Sequence, residues 1–96
     1  MIEYLYDAIR AVAGQEMAIN AVVVDENQDL IKADCNLVIH IDDTTMIKTP
    51  GEYEGSTGIW TFHVPASATV GLKGRYWYCI QHNDSNLCFM TPIYFK

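Results

Sequence analysis

Ninety-six residues, half of them hydrophobic and 19% charged, describe one globular domain able to bury a core, with no room for a second. A net charge of −6, with six basic residues scattered singly along the chain, argues against a nucleic-acid partner, which needs clustered Lys and Arg. No apolar run approaches the roughly 20 residues of a membrane-spanning helix, and Glu3, Asp7 and Glu16 stand where a secretory signal would be basic and then apolar.

A soluble protein of the producing cell's cytoplasm is therefore expected. Three cysteines, an odd number, agree with a reducing compartment better than with a paired disulfide framework.

The first dozen residues support two readings. Ile2, Leu5, Tyr6, Ile9 and Ala13 have helical spacing, so residues 1–8 form either a short helix or a separate arm. Alternation of Ile9 and Ala11 with Arg10 and Val12 favours a strand from about Tyr6 to Ala13. Met17, Ile19, Ala21 and Val23 then alternate with Ala18, Asn20 and Val22 up to the polar loop at 25–29.

Leu37, Ile39 and Ile41 alternate with Asn36, Val38 and His40, which places the odd positions inward and Val38 and His40 outward. A short strand is expected at 45–48, and TPGEYEGSTG (49–58) reads as a loop on its glycines and proline. Trp60, Phe62 and Val64 mark the next strand, ended by Pro65.

After a crossing at 65–74, Tyr76, Tyr78 and Ile80 share one face, with Arg75, Trp77, Cys79 and Gln81 on the other. The NDSN turn (83–86) returns the chain through Leu87, Phe89, Thr91 and Ile93. Pro92 cannot donate to a ladder, so the last strand should be an edge or bulged there. Six or seven antiparallel strands follow, in a sandwich or barrel.

The stretch WTFHVPASATVGLKGRYWYCIQ resembles the E strand, E–F corner and F strand of immunoglobulin-like domains, and AVAGQEMAINAVV resembles their opening strands. Its phrasing is most similar to the small immunoglobulin-like domains of phage tail and virion proteins and bacterial surface modules. The resemblance implies an immunoglobulin-like sandwich of about seven strands over 1–96, with Tyr76 as the tyrosine corner and a structural role in a phage or prophage virion. It departs where the intersheet disulfide belongs, because Tyr78 occupies the cysteine position and strand B supplies no cysteine.

Chemistry is sparse. Cys79 and Cys88 fall on one outward face; they oppose each other if the hairpin turn centres on Asn83 and Asp84, whereas a four-residue NDSN loop sets Cys79 against Met90. A disulfide, two free thiols, or a zinc site completed by His40 are the readings, and zinc lacks a fourth ligand. Asp25-x-Asn27-x-Asp29 opens like a calcium loop but lacks the glycine and the closing glutamate. Asn83-Asp84-Ser85 has the glycosylation form, which matters only after secretion. Asp42 and Asp43 are adjacent, hence on opposite faces of a strand, and can act as a pair only if they lie in a turn.

No nucleophile stands beside a histidine at an activating spacing, so no catalytic residue, metal or cofactor is expected.

The outward face is the more informative feature. Trp77, Cys79, Cys88, Met90 and Tyr94 share it by parity, and the immunoglobulin-like topology that the resemblance implies adds Val38 and His40; a monomer seldom leaves so apolar a surface to water unless its own N-terminal segment covers it. Its residue types suit an interface centre. The expected function is a noncatalytic interaction module binding a second copy or a neighbouring virion protein. The alternative is a carbohydrate-binding module stacking Trp77, Tyr94 or Tyr53 on sugar rings.

Overall fold

In the computed structural model, residues 3–4, 8–25, 27–82 and 90–96 are described. The fold is all-β, and the described residues contain no α-helix. The described residues form nine strands: β1 (Glu3–Tyr4), β2 (Ile9–Ala11), β3 (Met17–Ala21), β4 (Val23–Val24), β5 (Cys35–His40), β6 (Met46–Glu54), β7 (Ile59–Val64), β8 (Gly74–His82) and β9 (Thr91–Phe95).

Seven of them form one sheet, in the order β2-β9-β8-β5-β6-β7-β3, that curls until it is nearly closed like a barrel. β1 and β4 make a separate antiparallel pair. All pairings in the main sheet are antiparallel except β2 with β9, where Ile9 lies opposite Ile93 and Ala11 opposite Phe95.

The curl encloses the core. Ile19 and Ala21 from β3, Leu37 and Ile39 from β5, Trp60, Phe62 and Val64 from β7, Tyr78 and Ile80 from β8, and Ile93 and Phe95 from β9 pack together. These are the inward members of period-two runs, so burial of alternate apolar side chains sets the register of each strand. The Trp60 indole N–H donates to the Ile31 carbonyl at 2.7 Å, which ties the β4–β5 connection to the core.

Three expectations need correction. The segment 49–58 is not a loop, because β6 runs on through Pro50 and Gly51 to Glu54 and only 55–58 turn. Met46–Pro50 pairs with β5 and Gly51–Glu54 with β7, so the strand changes partner at the Pro-Gly step. Gly51 is required there: a Cβ would lie 2.5 Å from Phe62 Cε1 and 2.7 Å from Trp60 Cε3.

β9 is not an edge strand, since it lies between β8 and β2. The ladder to β2 begins only at Ile93, so Pro92 withholds no donor on that side. The N-terminal strand is shorter than expected, Ile9–Ala11, with Glu3–Tyr4 paired elsewhere.

Candidate functional site

The outward face of the five strands β2, β9, β8, β5 and β6 is laid out by register. One row runs Arg10, Tyr94, Arg75 across β2, β9 and β8. The next runs Pro92, Trp77, His40, Met46 across β9, β8, β5 and β6. A third brings Cys79, Val38 and Lys48 together.

Of the expected interface residues, Trp77 is 39% and Met90 47% exposed, while His40 and Tyr94 are half-buried. Met46, which strand parity alone did not single out, is 50% exposed beside them. Val38 and Cys79 are fully buried although they point away from the core cluster. The Cys79 Sγ stands 3.7 Å from His40 Nε2. Cys88, the NDSN turn and the glycosylation-like triplet lie outside the described residues. The β8–β9 ladder sets Tyr78 opposite Thr91 as its last pair.

Two cations stack on this face. The Arg75 guanidinium carbon lies 5.3 Å from the Trp77 ring centroid, and that of Arg10 5.3 Å from the Tyr94 centroid. Such contacts place a cation over the negative face of the ring. Sequence reading placed the basic residues singly and expected no patch; the fold brings Arg10, Lys48 and Arg75 onto one face because β2, β6 and β8 belong to one sheet. Their separations along the chain gave no local signal of this.

The other sequence candidates resolve as structure. Asp25 Oδ1 accepts the backbone N–H groups of Asn27 and Asp29 at 2.8 and 3.0 Å, closing the polar loop on itself. Asp42 and Asp43 lie in the β5–β6 turn. Asp42 Oδ1 accepts from the Thr44 and Thr45 amides at 2.9 and 2.8 Å, and these bonds hold its carboxyl below the usual value.

Tyr53 is a strand residue opposite Trp60, the two rings tilted at 5.4 Å between centroids. Tyr76 is half-buried with its hydroxyl accepting the Lys73 N–H at 3.3 Å and its ring edge-on to Phe95. Cys35, buried at the start of β5, has its thiol pushed up to about 11 by burial and then by Asp34.

Among the described residues no group of three His, Cys, Asp or Glu is placed to hold a metal ion, and no helix is long and apolar enough to cross a membrane. No protein-family model matches the chain, and no curated protein matches it.

Proposed function

We propose that the chain is a noncatalytic interaction module with an immunoglobulin-like strand plan, acting through the outward face centred on Trp77. The observation that carries this is the exposure of Trp77, Met90 and Met46, large apolar side chains left 39 to 50% exposed, with Trp77 and Met46 in one row of the outward face on either side of His40. Large, rigid or adaptable apolar groups of this kind supply binding energy when a partner removes them from water.

The strand plan supports the immunoglobulin-like part. β3 beside β7 corresponds to the B–E pair, and β5-β8-β9 to the C-F-G sheet. β6 serves both halves, beside C in its first part and beside E in its second. The partner under this reading is another copy of the chain or a neighbouring structural protein, and the virion setting follows from the sequence resemblance.

A glycan-binding role is less well supported, because Arg75 already lies over the Trp77 ring and Tyr53 packs against Trp60. Replacing Trp77→Lys should abolish association while circular dichroism shows the same β spectrum. An oligomeric mass by light scattering that is unchanged from wild type sinks self-association through this face. A tryptophan emission shift with a glycan panel would instead favour the carbohydrate reading.

A further inference from the structure

The two outward faces of the curled sheet carry opposite charge. On β2, β9, β8, β5 and the first half of β6, the described outward positions include Arg10, Lys48 and Arg75 and no Asp or Glu. On the second half of β6 with β7 and β3, they include Glu52 and Glu54, with Thr61, His63, Ala18 and Asn20, and no Lys or Arg.

Among the described residues, Glu52 meets only His63 as an ionic partner, at 4.0 Å, and no carboxylate stands within ion-pair distance of Arg10, Lys48 or Arg75. Among the described residues, both sets of charges thus face outward with no Lys or Arg paired to an Asp or Glu. Resting on the reading of the Trp77 face as an interface, we infer that its occupant is the Glu52–Glu54 face of a second copy of this chain. The contact is heterologous, one face of a subunit on the opposite face of the next.

The distribution of charge selects this pairing. An isologous contact through the Trp77 face would set Arg10, Lys48 and Arg75 of one copy against those of the other, and like charges across a contact are repelled. The geometry of the charges is compatible: Arg10 and Arg75 flank Tyr94 two strands apart, about 10 Å at the backbone, while Glu52 and Glu54 are two residues apart on one strand, about 7 Å. Each guanidinium already lies over an aromatic ring, 5.3 Å from its centroid, and a guanidinium is the cation that can take a carboxylate through two parallel N–H donors. Trp77, Met90 and Met46 then leave water against Ala18, Ile59 and the aliphatic stems of Glu52 and Glu54, and the ion pairs are needed both for orientation and for holding the contact. A contact of this kind leaves one unused face at each end, so assembly continues into rings or open chains.

The test uses two variants of the full chain. Arg75→Ser with Trp77→Ala disables the cationic face; Glu52→Gln with Glu54→Gln disables the acidic one. Each alone should sediment as a monomer, and a 1:1 mixture should give a dimer that grows no further, because each supplies the intact face the other lacks. Wild type should form larger species at low ionic strength that shrink as salt shortens the screening length.

Circular dichroism checks folding, and Arg10→Gln with Lys48→Gln replaces the first variant if that one unfolds. If the Glu pair leaves wild-type assembly unchanged while Trp77→Lys disrupts it, the face is an interface but the acidic occupant is wrong. Wild type that stays monomeric at every salt concentration overturns the inference outright.

Discussion

Gly51 shows how one residue decides a strand's path. The rings of Phe62 and Trp60 occupy the space where its side chain would stand, so the backbone of β6 can lie against them as it passes from one neighbour to the other. Gly51→Ala should cost roughly 1–3 kcal/mol as an overpacked site. It should appear as a lower urea midpoint with the slope of the transition unchanged; a midpoint equal to wild type would show that the rings move aside freely. The same residue accounts for the misread segment at 49–58. Pro and Gly are turn formers by habit, and sequence carries no sign that here the glycine makes room for two aromatic rings and the proline sits at a change of partner.

The strands themselves were legible where alternation was clean. Leu37 and Ile39 point inward and His40 outward, as parity requires, because a one-residue slip would expose the whole apolar set of β5. Trp77 was placed on the face where it lies for the same reason. Parity could not tell that Val38 and Cys79 are buried on that face, since burial there depends on what flanks them rather than on their own strand. Nor could it gather Arg10, Lys48 and Arg75, which meet only through the order of three separate strands. Connections between elements were harder still. The Gly14 N–H in the β2–β3 turn donates to Thr69 Oγ1 at 2.9 Å, fifty-five residues away, and Thr69 is fully buried. Thr69→Val removes that acceptor. It should lower stability by about 1 kcal/mol and speed hydrogen exchange at the Gly14 amide about fivefold; unchanged exchange at that amide would mean the turn is held by other contacts.

For the whole molecule, the parallel pairing of β2 with β9 has a mechanical meaning. The backbone bonds from Lys96 N–H to the Ala11 carbonyl at 3.1 Å and from Ala13 N–H to the Lys96 carbonyl at 3.4 Å extend that ladder. In a parallel pair, tension applied before β2 and after β9 pulls the strands lengthwise past each other. Every bond in the ladder is then loaded together, instead of one after another as in an unzipping hairpin. Such a clamp resists stretching more than its few bonds suggest at equilibrium. Pulling through the two chain ends in a force spectrometer should give a rupture force well above that for pulling across the β8–β9 hairpin. Equal forces would show that the load is borne elsewhere. A subunit joined to its neighbours in a line would meet tension along this direction, with its most shear-resistant strands carrying it.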